Sequence, residues 1–265
     1  MYTAGKIAWI TGASSGIGEA LAGVLFSEGA TLILSSRSVS KLNEMKTRFD
    51  QIERDRCYVV PCDVTRADSI EKALDMVKQQ AGRVDILINN AGVSQRSLAL
   101  DTSMQTVREF FEVNFFGAVA ITKGVLPWMI SQGGGYIVVI SSMAGKFGFR
   151  LRSSYAASKH ALHGYFETLR SELHDKNIRI TLICPGRIKT DISVHSLTGD
   201  GRLYGKMDEG QAKGVPVEKC ARIIARAIRN NRREVFIGKS ELFLLSIKRV
   251  CSPLYYWIVN HASPT

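Results

Sequence analysis

Short runs of nearly continuous Ile, Val and Leu recur along this chain, with longer amphipathic stretches between them. The runs are Lys6–Thr11, Thr31–Ser35, Cys57–Pro61, Asp85–Asn89, Tyr136–Ser141 and Ile178–Cys184. Helical patterns cover Gly16–Glu28, Val39–Asp50, Ala67–Gln80, Met104–Ile130 and Tyr155–His174. A strand apolar on both sides must be covered on both faces. Strands alternating with helices are joined by right-handed βαβ crossovers, which make the sheet parallel. The pattern therefore predicts an α/β fold. After Pro185-Gly186 it lapses. Asp191–Gly214 is polar, glycine-rich and aperiodic, and so long a connection in a compact domain is usually functional or mobile. Val217–Asn230 then reads as a last helix and Glu234–Ile237 as a last strand. No linker divides the 265 residues, and 45% of them are hydrophobic, so one domain over 1–265 with a single sizeable core is expected.

The first strand leads directly into Thr11-Gly12-Ala13-Ser14-Ser15-Gly16-Ile17-Gly18. Glycines let the backbone turn tightly and approach a ligand. A helix starting there offers free N–H groups and a positive dipole end to a pyrophosphate. The spacing is Gly-x3-Gly-x-Gly rather than the commoner G-x-G-x-x-G. Glycines used only for packing would look the same, but the place between a first strand and a first helix points to a dinucleotide.

Tyr155-Ala156-Ala157-Ser158-Lys159 opens a helix, so Tyr155 and Lys159 project from one face one turn apart. A free tyrosine, with a pKa near ~10, is a poor base at neutral pH. A neighbouring ammonium favours the phenolate, which would make Tyr155 a usable acid or base. A half-buried tyrosine beside a surface lysine would show the same spacing.

Taken in order, these segments resemble the short-chain dehydrogenase/reductase family. Its motifs are matched by TGASSGIG at 11–18, NNAG at 89–92, SSMAG at 141–145 and YAASK at 155–159, with Pro185-Gly186 following. The resemblance implies a Rossmann fold: a doubly wound, mostly parallel seven-stranded sheet in the order 3-2-1-4-5-6-7, with helices on both faces. It also implies site roles. Ser142, thirteen residues before Tyr155, would hydrogen-bond the substrate oxygen, with Ser141 as the competing candidate. Tyr155 would donate the proton, and Lys159 would bind the nicotinamide ribose and lower the Tyr155 pKa. Asn114 would hold a water that relays protons from Lys159, or would serve as a helix-kink residue that satisfies backbone groups. Gly12, Ser14, Ser15, Gly16, Ile17 and Gly18 would cradle the phosphates. Asp63, beside Val64, would accept from the adenine amino group, and Asn90, Ala91 and Gly92 would pass the adenine ribose. Beyond Pro185 and Gly186, Ile188 would offer its backbone to the carboxamide, and Thr190 would bond the carboxamide or a phosphate.

The cofactor expected is NADP(H) rather than NAD(H). A site for NAD places a carboxylate at the end of the second strand to grip the ribose 2′-hydroxyl. Here that strand ends Ser35-Ser36-Arg37-Ser38, with no acid. Arg37 can pair with a 2′-phosphate, and Ser36 or Ser38 can add a hydrogen bond. No cysteine or histidine spacing suggests a metal. The five cysteines are odd in number and fit thiols kept reduced in a cytoplasm. The strand-like run from Lys6 argues against a signal peptide.

The net charge is +11, and Val217–Thr265 holds nine Lys or Arg against three Asp or Glu, a net +6. Nucleic acid, an anionic membrane or a small anionic ligand would each suit such a charge. No nucleic-acid-reading motif accompanies it. Leu242–Val259 is apolar and aromatic but interrupted by Lys248, Arg249 and Pro253, so it is expected not to cross a bilayer. It could cap the substrate cleft, pack against a subunit or lie on a membrane surface. Phe147, Phe149 and Leu151 are candidate apolar walls, and Asp191–Gly214 is the segment with which family members read substrate. The resemblance implies a homodimer or homotetramer built on the Met104–Ile130 and Tyr155–His174 helices. The leading expectation is a reductase of a lipophilic ketone or aldehyde of steroid, retinoid or lipid type. A 3-oxoacyl thioester reductase is the enzymatic alternative. A catalytically silent nucleotide-sensing or interaction protein is the alternative of another class.

Overall fold

A computed structural model describes residues 3–261, so the extreme ends of the expected 1–265 domain lie outside the described residues. The strands are β1 (Ile7–Thr11), β2 (Thr31–Ser35), β3 (Cys57–Val59), β4 (Ile86–Asn89), β5 (Gly135–Ile140), β6 (Ile178–Pro185), β7 (Ile188–Lys189), β8 (Val215–Pro216) and β9 (Glu234–Ile237). Seven of them form one sheet in the order β3-β2-β1-β4-β5-β6-β9, and every pairing in it is parallel. This is the expected Rossmann order, with β9 as its seventh strand. The two-residue strands β7 and β8 pair only with each other and are too short to show a period.

Alternate strand residues feed two apolar layers. Ala8, Ile10, Leu32, Leu34, Ile86 and Ile88 face helices α1 (Gly16–Ser27) and α8 (Val217–Arg229), where Leu21, Leu25, Ile224 and Ile228 are fully buried. Trp9, Ile33, Leu87, Ile137 and Val139 join the opposite layer. Its helices are α3 (Ala67–Ala81), α5 (Gly117–Ser131) and α6 (Ser153–Glu172), through residues such as Val77, Val125, Met129 and Phe166. Each such side chain contributes about 1.5–3 kcal/mol on burial. Helix α2 (Val39–Asp50) completes the first layer with Leu42 and Met45.

The stretch expected as one helix over Met104–Ile130 is α4 (Met104–Phe111), a π turn over Glu112–Phe116, and α5. Together these make a continuous helix, Met104–Ser131, long and apolar enough to cross a membrane by length and composition. The sequence had pointed instead to Leu242–Val259 as the nearest candidate. That segment breaks at Cys251 into α9 (Phe243–Val250) and α10 (Ser252–His261). Within the fold, α5 buries Ile121, Val125 and Met129 beneath the sheet, as a core helix does.

Two irregular segments complete the chain. In 191–214, Leu197 bridges to Gln95 and to Leu203, and a short helix α7 (Glu209–Ala212) follows. The C-terminal helices lie over the stretch between Ser142 and Tyr155, burying Tyr255 against Phe147, with ring centroids 5.9 Å apart.

Candidate active site

A cavity of about 1600 Å³ opens along the C-terminal ends of β1, β2, β4, β5 and β6, where open parallel sheets bind ligands. Every residue the sequence nominated for catalysis or cofactor binding lines it except Gly18 and Asn114. Gly18 instead supports the turn. A Cβ there would meet the Gly12 carbonyl oxygen at 2.5 Å and Asn90 Nδ2 at 2.6 Å.

The glycine turn is held open by its neighbours. Gly12 and Gly16 have φ of +61° and +58°, which favours glycine. A Cβ on Gly12 would lie 2.8 Å from Ala91 Cα. Asn90 Nδ2 donates to the carbonyls of Thr11 (3.0 Å) and Gly12 (2.9 Å). The N–H groups of Asn90 and Ala91 donate to Thr11 Oγ1 at 3.0 and 3.1 Å. Helix α1 begins at Gly16, and its N-cap, Ser15, makes no side-chain capping bond. Gly16 and Ile17 line the cavity at that end, so the first turn presents its dipole end to the space where a pyrophosphate fits.

At the end of β2, Ser36 Oγ accepts from the Ser38 N–H at 3.1 Å, and Arg37 is exposed on the cavity wall. Lys41 lines the cavity one turn further on. It went unnoticed in the sequence, although its i+4 spacing from Arg37 was the available signal. Asp63 holds its own turn, with Oδ1 accepting from the Thr65 N–H (3.0 Å) and hydroxyl (2.8 Å). A dinucleotide fits this half of the cavity: a glycine cradle, a helix N-terminus and a cationic end with no acid on the β2 tip.

The chemistry-bearing half centres on Tyr155 in the first turn of α6. It lines the cavity together with Ser142. The Ser142 Oγ accepts from the Ala144 N–H (3.1 Å) and donates to the Pro185 carbonyl (3.3 Å). Ser141 turns away, towards the Lys159 carbonyl (3.3 Å) and His163 Nε2 (3.0 Å). Geometry thus favours Ser142 over Ser141. Lys159 is 4% exposed, and its Nζ donates to the Ile140 carbonyl at 2.8 Å, 5.9 Å from the Tyr155 ring centroid. Burial pushes the Lys159 pKa down to about 8.

Burial raises the Tyr155 phenol above its ordinary value, and the influences that oppose it are Ser142, Arg152 and Arg96. The Lys159 ammonium is directed at Ile140 instead. Asn114, in the π turn, accepts from the Val93 N–H (2.8 Å) and donates to the Val93 carbonyl and Ser158 Oγ, both at 3.0 Å. Its side chain is a brace joining three segments, so of the two expected roles the backbone-satisfying one is visible. Gly92 is needed beside it, because a Cβ would lie 3.0 Å from Asn114 Oδ1 and 3.4 Å from Lys159 Nζ.

Several contributors escaped the sequence. Gln95 is fully buried, and its Oε1 accepts from the N–H groups of Ser154 (2.8 Å) and Tyr155 (3.1 Å). It therefore caps the helix that carries Tyr155. Arg96 grips Asp208 through Nε (2.8 Å) and Nη2, and Arg152 Nη2 reaches the same oxygen at 3.4 Å. These charges are buried in the cavity wall, and Asp208 belongs to the irregular 191–214 segment. Partners 112 residues apart leave no local signal. His163, Cys184 and Glu234 also bring ligand-type atoms within 4.8 Å of one another behind Lys159. They are engaged with Ser141 and with the Lys146 ammonium, 2.7 Å from Glu234.

Past β6, the Ile188 carbonyl accepts from Gln211 Nε2 and from the Thr190 hydroxyl (3.4 Å). Thr190 sits over the glycine turn, its Cγ2 3.4 Å from a Cβ placed on Gly16. Of the proposed apolar walls, Phe149 lines the cavity. Phe147 is fully buried under the C-terminal helices, and Leu151 is a turn residue with φ +62°. Leu197, Leu203, Met207, Leu244, Ile258 and Val259 supply further apolar lining.

A family model described as short chain dehydrogenase matches residues 6–200. The chain belongs to the short-chain dehydrogenase/reductase family. It is thus an oxidoreductase of a family whose members bind nicotinamide cofactors. It is 38% identical over 259 residues to the dehydrogenase/reductase SDR family protein 7-like of Drosophila melanogaster, covering 96% of this chain and 79% of that protein. It is 37% identical to dehydrogenase/reductase SDR family member 7B of Xenopus laevis, covering 98% and 82%. Among solved structures, a short-chain dehydrogenase from Streptomyces avermitilis superposes with a TM-score of 0.81 at 27% identity, covering 95% and 96%. L-sorbose reductase from Gluconobacter frateurii, complexed with NADPH and L-sorbose, gives 0.78 at 26% identity, covering 89% and 97%.

Proposed function

We propose that this chain is an NADP(H)-dependent reductase of a lipophilic ketone or aldehyde. The observation that carries the reading is Tyr155 and Ser142 together on the cavity wall, with Lys159 one helical turn from Tyr155. The bound nicotinamide would supply the hydride. Tyr155 would give its proton to the carbonyl oxygen while Ser142 hydrogen-bonds that oxygen. Lys159 would turn from the Ile140 carbonyl to the ribose, and Asn114 would keep the Val93 loop and α6 in register. Gly12, Ser14, Ser15, Gly16 and Ile17 would hold the pyrophosphate, with Gly18 packing behind them. Asp63 and Val64 would meet the adenine. Asn90, Ala91 and Gly92 would meet the ribose, and Pro185, Gly186, Ile188 and Thr190 the nicotinamide side. Arg37, flanked by Ser36 and Ser38, supports NADP(H) over NAD(H), because a 2′-phosphate needs a cation where an acid would repel it.

The apolar lining from Phe149, Leu203, Met207 and Ile258 supports a lipophilic substrate. Phe116, 49% exposed, and the aromatic contacts linking Phe115 to Tyr165 support assembly as a homodimer or homotetramer through α5 and α6. Five free cysteines, four of them buried, support a reducing, cytoplasmic setting. The test follows oxidation of NADPH and NADH against ketones, aldehydes, steroids and 3-oxoacyl thioesters. Turnover with NADPH on a lipophilic carbonyl is expected. Tight NADPH binding without turnover on any class would transfer the case to a sensing role.

A further inference from the structure

Behind Lys159 three elements bring metal-ligand chemistry together, outside the cavity lining. His163 and Glu167 stand one turn apart on α6, Cys184 is on β6, and Glu234 opens the neighbouring strand β9. One ligand atom from each of His163, Cys184 and Glu234 lies within 4.8 Å of the other two. Glu234 Oε1 is 3.5 Å from His163 Nδ1 and 3.8 Å from Cys184 Sγ. A tetrahedral zinc ion with bonds of about 2.0–2.3 Å needs its ligand atoms about 3.3–3.6 Å apart, so small side-chain movements would close the shell. Cys184 is 21 residues from His163 and 50 from Glu234, a set that no local spacing announces.

The hydrogen bonds turn a lone pair of His163 towards the carboxylates. Ser141 gives its one hydroxyl proton to the Lys159 carbonyl (3.3 Å), and so accepts from the His163 Nε2–H at 3.0 Å. Burial holds the imidazole pKa below its usual value, so the ring is neutral at pH 7 and Nδ1 carries no proton. Nδ1 then faces Glu167 Oε1 (3.4 Å) and Glu234 Oε1 (3.5 Å), acceptor against acceptors. The Lys146 ammonium holds these carboxylates together, 2.7 Å from Glu234 and 3.6 Å from Glu167. We propose that His163 Nδ1, Cys184 Sγ and Glu234 Oε1 bind a zinc ion, with Lys146 withdrawing to Glu167. The thiol proton leaves to solvent, thiolate and carboxylate cancel the two charges of the ion, and water fills the fourth position. Glu234 and Glu167 are partly exposed and open a way in. A nitrogen, sulfur and oxygen set suits zinc, whereas magnesium and calcium take oxygen ligands. The ion would tie α6, which carries Tyr155 and Lys159, to β6 and β9, and the Nε2–H bond to Ser141 would fix the ring.

Zinc binding to the chelator-washed full chain, measured in competition with a chromophoric chelator, tests this without turnover and so independently of the reductase reading. One equivalent should bind and raise the thermal midpoint. Cobalt in its place should show a thiolate charge-transfer band. Cys184→Ser should abolish that band, and replacing the exposed cysteine, Cys251→Ser, should leave it intact. His163→Gln and Glu234→Gln should each weaken zinc binding about tenfold or more. Lys146→Met should tighten it about tenfold, because the ion no longer has to displace an ammonium. Lys146 and Glu234 are partly exposed, so their variants keep the test decisive even if a buried substitution fails to fold. No binding by the parent chain, a cobalt band that persists in Cys184→Ser, or an affinity that neither Glu234→Gln nor Lys146→Met moves overturns the inference.

Discussion

Replacing Lys159 by Met should flatten the pH dependence of folding stability in the alkaline range, because the native fold holds this ammonium at a disadvantage. Lys159 is 4% exposed, and burial brings its pKa from 10.5 to about 8. Below about pH 8 both folded and unfolded chains carry the proton, and folding bears the full cost of burying the charge. Between there and the ordinary lysine value the unfolded chain is protonated and the folded one is not. Stability therefore rises with pH through that window by about 1.4 kcal/mol per unit. Urea denaturation of the cofactor-free protein at about pH 7 and about pH 9 should show the parent chain gaining roughly 1.4 kcal/mol more than Lys159→Met over the interval. Other titrating groups are common to both proteins and cancel. The lost bond to the Ile140 carbonyl adds a constant offset that leaves the slope untouched. Parallel pH dependences in the two proteins would refute the reasoning, since Lys159 would then titrate as it does in water.

Asp208→Ala should destabilise the fold by about 3 kcal/mol in thermal or urea unfolding, because it leaves the buried Arg96 guanidinium without its carboxylate. The lower end of the range applies because Asp208 Oδ1 is already buried without a partner among the described residues; a change under about 1 kcal/mol would mean the pair is solvated. Tyr155→Phe should abolish turnover while NADPH still binds, as measured by fluorescence, and near-normal turnover would remove Tyr155 from the chemistry. Arg37→Asp should shift the preference from NADPH to NADH in kcat/KM by about tenfold or more, as loss of a charge-assisted contact predicts. Gln95→Leu should lower kcat while sparing cofactor affinity, because it uncaps the N–H groups of Ser154 and Tyr155 without touching the dinucleotide half.

The readable parts of this protein are those whose physics is local. Strand alternation is written into Ala8, Trp9 and Ile10, because neighbouring side chains must enter opposite apolar layers. The glycine turn is legible because positive φ at Gly12 and Gly16 demands glycine. Ser142 could be chosen over Ser141 by spacing, and Ser141 is turned to the Lys159 carbonyl and His163. Gln95 and the Arg96–Asp208 pair were hidden, since their meaning depends on partners distant in sequence. The partner of Lys159 was hidden for a related reason. Sequence placed Lys159 one turn away, but which carbonyl its ammonium reaches depends on where β5 ends.

The cavity is built in two ways, and this bears on where specificity lies. Its dinucleotide half is made of strand ends and first helical turns, held by backbone bonds such as those from Asn90 and Ala91 to Thr11. Its other half is assembled from the segment after β4, the irregular 191–214 stretch and α9–α10, which no strand of the main sheet aligns. These are fixed instead by side chains: Arg96 and Arg152 on Asp208, the hydroxyl of Tyr255 on the Gly148 carbonyl at 3.3 Å, and Lys248 on the Lys146 carbonyl at 2.8 Å. Changes in these tethers reshape the apolar wall while the glycine cradle and the Tyr155–Ser142 pair stay in place. Substrate choice can thus vary without disturbing the cofactor site, and these tethers are where it should be sought.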